Sequence, residues 1–422
     1  MCPVSDIQEW FMPRQNGFRH QSYPTRPAVD PVVLTLDGDS VQSLDFGHLH
    51  TQFGVRKVLL VHGTFAGDDP FGIHAIMRAG AETLPAAAQR AANPVIDRLA
   101  NQTKRLTDAI TADVANYSDG YRKRFQTLVG DDPDVNRLEP TWSSENNHIA
   151  RAGLAVRLLN ELVDLHADGF DPDHERVLLW GHSHAGNGFA ILSNLLANDR
   201  QSVEAFFDAA GDSLGTAGEA ARQALAAAPT PHPMAKAACV VTFGTPVRYG
   251  WDTDGLRSLV HVTHHRPIKD HVDPAAIVPA VTFGCEGNSF GDNFTAATTG
   301  VADVLAAKHG DWVQAFAIAG TDIAPPLKRK DNARLGAFLE RGLTEPTPQK
   351  LKDKLKVTCA RWKTRTRLHS DGRNLLINYE SAQLTRFGPA RQAVLGHGIY
   401  TLKDWLPSQL SLVLKWMEHD GV

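Results

Sequence analysis

The feature that most constrains this chain is a set of short, nearly uninterrupted apolar runs, each closing on a glycine or a small polar residue. Arg56-Lys57-Val58-Leu59-Leu60-Val61-His62-Gly63, Arg176-Val177-Leu178-Leu179-Trp180-Gly181, Ala237 to Phe243 before Gly244-Thr245-Pro246, and Leu259-Val260-His261-Val262-Thr263 all have this form. A strand with one wet face alternates apolar and polar residues, whereas a strand buried on both faces does not. Helical patterning fills the intervals. In Ile149 to His166, Leu154, Leu158, Leu162 and Leu165 recur at three and four residues and form one apolar stripe. Buried strands alternating with helices predict an α/β fold: a mostly parallel, doubly wound sheet with helices on both faces.

The remaining segments fit around that frame. Residues 1–30, rich in Pro, Arg and Gln, read as an irregular N-terminal arm, and 31–422 as one domain. Val32 to Leu36 reads as a strand, 70–117 as largely helical, Glu139 to Ser143 as a short strand, and Gly188 to Ala197 as a helix. The Ala-rich residues 200–236 read as an insertion. Within them, 204–228, with Phe206-Phe207, suits a packed helix slightly better than a mobile lid. Residues 265–350 are the candidate cap. Lys356 to Leu368 and Arg373 to Tyr379 flank Ser370-Asp371-Gly372 and suggest a hairpin at the sheet edge. Leu402 to Met417 reads as a closing helix.

Composition narrows the function classes. With 42% hydrophobic and 21% charged residues and a formal net charge of −4, the chain has no overall basic field for nucleic acid or an anionic membrane. No run approaches the ~18 consecutive apolar residues of a spanning helix. Met1-Cys2-Pro3-Val4 lacks a secretory start. The four cysteines (Cys2, Cys239, Cys285 and Cys359) form no Cys-x-x-Cys pair and read as free thiols in a reducing compartment. The expectation is a cytoplasmic protein without stable membrane insertion.

Chemistry concentrates where the buried runs end. Gly181-His182-Ser183-His184-Ala185 follows one such run and precedes a helix. A serine on a sharp strand-to-helix turn needs small neighbours, here Gly181 and Ala185, and is lifted above the sheet beside a helix N-terminus. The bland alternative is a tight turn with an incidental serine. Val61-His62-Gly63-Thr64-Phe65 follows an earlier buried run. Acyl transfer needs two backbone donors for the oxyanion: one from the residue after the nucleophile, here His184, and one from such an upstream loop, here Thr64.

His-Gly-Thr-Phe after one strand, Gly-His-Ser-His-Ala-Gly after another, and Val-Thr-Phe-Gly-Thr-Pro after a third resemble the α/β-hydrolase lipases and esterases, over roughly residues 56–265 and the region near 397. The resemblance implies an α/β-hydrolase fold with cap insertions and a Ser, Asp, His triad in that chain order. Ser183 is then the nucleophile. The base belongs on a late loop, where His397 in Leu395-Gly396-His397-Gly398 fits; His369 competes but precedes the last strand. The acid should follow a strand beyond the nucleophile. Asp270 ranks first. Asp322, which ends the strand-like run Trp312 to Thr321, ranks second, and Asp273 third, with Asp252 and Asp254 as further possibilities.

The function expected is hydrolysis of carboxylic esters, of a small molecule or a lipid, through an acyl-enzyme and without a cofactor. An amidase, peptidase or thioesterase would use the same triad, and a non-catalytic binding protein could retain the fold. His261, His264, His265 and His271 lie close together, but they lack a carboxylate at helical spacing, so pocket-lining histidines are preferred to a metal site. His182 and His184 read as shape and packing residues. The basic stretches 328–330 and 361–367 read as solvated edges rather than a nucleic-acid surface.

Overall fold

Seven strands and eight α-helices carry the architecture in a computed structural model that describes residues 17–19, 31–37, 46–63, 117–139, 142–266, 310, 311, 314, 324–341, 362, 363, 366–380 and 396–419. The sheet strands are β1 (Val32–Asp37), β2 (Val55–Val61), β3 (Asp134–Arg137), β4 (Arg176–His182), β5 (Ala238–Phe243), β6 (Ser258–His264) and β9 (Arg373–Glu380). A separate two-stranded ladder joins β7 (Trp362–Lys363) and β8 (Thr366–Arg367). The described helices are α1 (His48–Thr51), α2 (Asp119–Val129), α3 (His148–Ala167), α4 (Ala185–Ala197), α5 (Arg200–Ala210), α6 (Gly215–Ala227), α7 (Arg329–Leu339) and α8 (Leu406–His419).

The sheet runs β1-β9-β6-β5-β4-β2-β3, and each pairing is parallel. Its two faces separate along each strand. On β4, Val177 and Leu179 join the core built by α3 and α4, while Leu178 and Trp180 join the core that holds Tyr121 and Phe125 of α2 and Leu410 and Val413 of α8. Helices on both faces explain why these strands are apolar throughout. Each fully buried Val, Leu or Ile contributes about 1.5–3 kcal/mol relative to exposure. The fold is therefore α/β, as the apolar runs require.

The strand order reverses between two neighbours. From β2 the chain moves outward to β3, then crosses back to β4 and continues in the opposite direction to β5 and β6. The loops leaving the carboxyl ends of β2 and β4 therefore part, and a crevice at that point is where open α/β sheets bind ligands.

Helix ends are fixed by named partners. Asn147 caps α3 by accepting from Ala150 N–H (2.8 Å). Two further N–H groups of α3, from His148 and Ile149, donate to Asn332 Oδ1 at 2.8 and 3.2 Å, which ties α7 across the start of α3. At its other end α4 stops on Asn198, whose left-handed backbone (φ 51°) ends the helix.

Several expectations change. Arg373–Glu380 is an interior parallel strand between β6 and β1, not the arm of an edge hairpin; its apolar Leu375, Leu376 and Ile377 are all buried, as an interior position demands. The strand near Glu139 lies earlier, at Asp134–Arg137, where Val135 alone is fully buried in a polar edge strand. The segment 200–236 holds α5 and α6, and Phe206 and Phe207 are core residues. Of the arm, Phe18 stacks on Phe206 and meets Phe338 edge-on, and Arg19 binds Asp252 and Asp254. The helical stretch expected at 70–117 and most of the cap expected at 265–350 lie outside the described residues.

Phe206 of α5 is fully buried against Phe338 of α7 and Phe18. Phe206→Ala is expected to destabilise the protein by about 3–5 kcal/mol, read as a lower midpoint in denaturant unfolding. A loss within experimental error would mean that α5 is a loosely held lid.

Candidate active site

The site grows from the carboxyl ends of β2, β4, β6 and β9. At the end of β4, Ser183 has φ 56°, a left-handed conformation that a non-glycine residue holds only when its surroundings enforce it. They do so here by hydrogen bonding. Ser183 N–H donates to the Phe243 carbonyl of β5 (2.8 Å), and the Ser183 carbonyl accepts from Gly186 N–H (3.1 Å) and Thr245 Oγ1 (2.8 Å). Small residues are required close by. A Cβ on Gly181 would lie 2.3 Å from Phe189 Cε2, and one on Gly186 would lie 2.1 Å from Thr245 Oγ1. The close approach thus falls on Gly181 and Gly186, while Ala185 is simply buried.

The turn delivers Ser183 to the start of α4, whose first N–H groups have no partner within the helix and carry the positive end of its dipole. His184 is the residue before that first turn. Its Nδ1 accepts from Asn187 Nδ2 (3.2 Å). Burial, then Arg151 and Arg248, hold its imidazole well below the usual range, so it is neutral.

The loop after β2 lies directly against the serine. A Cβ on Gly63 would stand 2.5 Å from Ser183 Cβ and 3.2 Å from Ser183 Oγ. Trp142 Nε1–H donates to the His62 carbonyl (3.0 Å), and His62 Nδ1–H donates to the Gly63 carbonyl (2.9 Å). Thr64 lies outside the described residues.

His397 follows Gly396 (φ 75°) and opens the 3-10 turn Gly398–Thr401. Its Nδ1–H donates to Asp311 Oδ2 (2.8 Å), and neither side chain is exposed. That bond fixes the tautomer and leaves Nε2 as an acceptor. Among the described residues, His397 Nε2 and Ser183 Oγ are both buried atoms without a hydrogen-bond partner. Two neighbouring histidines secure the loop. His182 Nε2–H, one residue before the serine, donates to the His397 carbonyl (3.0 Å), and His264 Nδ1–H donates to the Gly396 carbonyl (3.2 Å). The rings of His182 and His397 are 4.6 Å apart.

The carboxylate facing His397 is Asp311, which the sequence ranking did not contain. Asp270, ranked first, and Asp273 and Asp322 lie outside the described residues, and the single Nδ1 proton of His397 is already committed to Asp311. Asp252 and Asp254 are held by Arg19 instead. Asp311 reaches the site because the chain returns to the end of β6 after leaving it at His265. Gly310 bridges His265, and Asp311 N–H donates to the His264 carbonyl (2.9 Å). Only glycine fits at 310: φ is 101°, and a Cβ would meet the His264 carbonyl oxygen at 2.3 Å.

Asp311 Oδ1 accepts from Gln314 N–H (2.9 Å), and Oδ2 also accepts from the Tyr400 hydroxyl (2.8 Å). Burial alone would raise the Asp311 pKa, but His397, Gln314 N–H and Tyr400 outweigh it and hold the carboxyl below its ordinary value. Gln314 is helical, and the rest of the strand expected over 312–321 lies outside the described residues. The signal that could have found Asp311 is Gly310-Asp311 itself, a turn glycine followed by a residue suited to start a helix.

The competing base, His369, sits at the amino end of β9, away from the loops that carry Ser183 and His397. It stacks on His261 at 3.6 Å and accepts from Trp251 Nε1–H (3.4 Å). Among the described residues no three His, Cys, Asp or Glu side chains form a group able to hold a metal. His271 lies outside those residues.

No family model, curated protein or solved structure matches this chain.

The buried histidines make stability depend on pH. Burial, then Arg266, lowers His264 from 6.5 to about 4. The unfolded chain therefore takes up this proton first as pH falls, and each unit of separation is about 1.4 kcal/mol. Stability should be full above pH 6.5 and fall progressively toward pH 4, as read by denaturant midpoints across that range; an unchanged midpoint at pH 5 would contradict the neutral, buried assignment.

Proposed function

We propose that this protein is a serine hydrolase of the α/β-hydrolase fold that cleaves carboxylic esters, with Ser183 as nucleophile, His397 as base and Asp311 as the acid that orients it. The observation that carries the reading is the placement of three groups at the carboxyl ends of three strands, two of them joined by a hydrogen bond. A serine strained at the end of β4, a histidine beyond β9 with Nε2 unpartnered, and a buried aspartate beyond β6 on that histidine's Nδ1 stand in the chain order Ser, Asp, His. The elbow also lies at the reversal of strand order, and Gly63 of the β2 loop abuts Ser183.

The chemistry follows from these groups. Ser183 Oγ attacks the acyl carbon as its proton passes to His397 Nε2, and the carbonyl electron pair moves onto oxygen. The His184 N–H, with Thr64 N–H from the β2 loop, would bind that oxyanion. Collapse of the intermediate breaks the bond to the alcohol oxygen, which takes the proton from His397. Water then repeats the sequence on the acyl-enzyme and restores Ser183. Asp311 stays ionised throughout, since its role is to hold the Nδ1–H tautomer and stabilise the transient imidazolium.

A fluorophosphonate probe should label the wild-type protein and fail to label Ser183→Ala; absence of labelling on folded wild type would sink the reading. With p-nitrophenyl esters, Asp311→Asn should lower kcat by roughly 10³–10⁴-fold, as loss of a triad acid does elsewhere, while Asp270→Asn retains activity. Comparable losses in both variants would reassign the acid. Faster turnover of matched anilides than of esters would favour an amidase.

A further inference from the structure

The acid of this site is gripped by two donors from one turn. His397 and Tyr400 are three residues apart across the 3-10 turn Gly398–Thr401, and in such a turn side chains i and i+3 share a face. Both reach the same oxygen: Asp311 Oδ2 accepts from His397 Nδ1–H and from the Tyr400 hydroxyl, each at 2.8 Å. The direction of the second bond is fixed. His264 N–H, which can only donate, donates to the Tyr400 hydroxyl at 2.7 Å, so the hydroxyl proton is left for the carboxylate. Space for this grip is reserved by Gly244 (φ 59°), where a Cβ would stand 2.4 Å from Tyr400 Cε2 and 2.5 Å from Asp311 Oδ2. Tyr400 is fully buried, with its ring near those of His182, Phe243, Tyr379 and His397.

We propose that Tyr400 is a positioning residue of the hydrolytic site, whose hydroxyl fixes Asp311 Oδ2 against His397 and draws off part of the carboxylate charge that faces the imidazole. The proposal rests on the hydrolase reading above and adds to it a residue outside the triad. A carboxylate that shares its charge with a second donor attracts the imidazolium proton less. Burial, then Asp311, pushes the Tyr400 hydroxyl well above its ordinary pKa, so it remains a donor throughout the working range. The ionisable groups around this arrangement are His182 and His184 beside the serine, His264 and His265 at the end of β6, Arg266 just beyond, and Tyr379 on β9. Among the described residues, the side chains that donate to Asp311 are those of His397 and Tyr400.

The test is the pH dependence of fluorophosphonate labelling, with the His397 Nδ1–H proton resonance as a readout that needs no turnover. In Tyr400→Phe the undivided Asp311 charge should hold the imidazolium to higher pH. The acid limb should therefore move up by about half a pH unit or more, and the Nδ1–H resonance should shift. A fluorinated tyrosine at position 400, a stronger donor of nearly the same shape, should move the limb down, and it guards against misfolding of the phenylalanine variant. Lower stability with an unmoved limb and an unmoved resonance would overturn the proposal and leave Tyr400 a packing residue. A wild-type protein that folds but does not label overturns the hydrolase reading instead; the resonance and its response to Tyr400→Phe would still report whether the shared oxygen exists.

Discussion

The buried charge of Asp311 is the constraint on which the rest of the site depends. An ionised carboxylate with no exposed surface is tolerated only when its oxygens are occupied by donors. Three are supplied from two places: Gln314 N–H, three residues on, to one oxygen, and His397 and Tyr400 of one distant turn to the other. Each donor imposes its own geometry. Gly310 must turn with positive φ, Gly244 must lack a side chain, and the Gly398–Thr401 turn must present two side chains on one face. Removing one donor would leave a buried acceptor short of a partner, and such a loss costs about 1–3 kcal/mol, more for a charged group. The apparatus around His397 therefore serves the stability of the buried carboxylate, and on the proposed reading its chemistry as well.

The same economy governs the histidines. Four buried imidazoles near the site are fixed by hydrogen bonds for different ends. His397 faces the carboxylate, His182 and His264 hold successive carbonyls of the loop that carries it, and His62 closes on the Gly63 carbonyl beside the serine. An imidazole suits each task because a ring N–H can donate to one fixed oxygen. His264 is lowered to about 4 chiefly by burial, which keeps it a neutral donor at ordinary pH.

Strain at Ser183 is the third element. Its left-handed backbone costs of order 1–3 kcal/mol and is held by bonds to β5 and to Thr245. The sheet is rigid where these bonds form, since β4 and β5 are interior strands buried on both faces. A strained turn on such a base keeps its shape, and the Gly63 loop can then pack against it at contact distance.

Much of this was legible in the chain itself. Apolar runs such as Val177–Trp180 betray strands covered on both faces, because burial leaves no other composition, and Gly181-His182-Ser183-His184-Ala185 marks a turn whose crowding excludes larger residues. His397 was suggested by its place beyond the last strand. Asp311 was not, because a residue becomes the partner of His397 only through where the chain returns, and some 45 residues separate it from the end of β6. Tyr400 and His264 were hidden for the same reason: both donate in ways that depend on three-dimensional approach. Local periodicity and steric demand are written residue by residue, so sequence alone determined the buried strands β2, β4, β5 and β6 and the turn at Ser183. Which carboxylate completes the site, and which hydroxyl shares its charge, depends on contacts between distant segments, and only the packed sheet with its returning loops decided those.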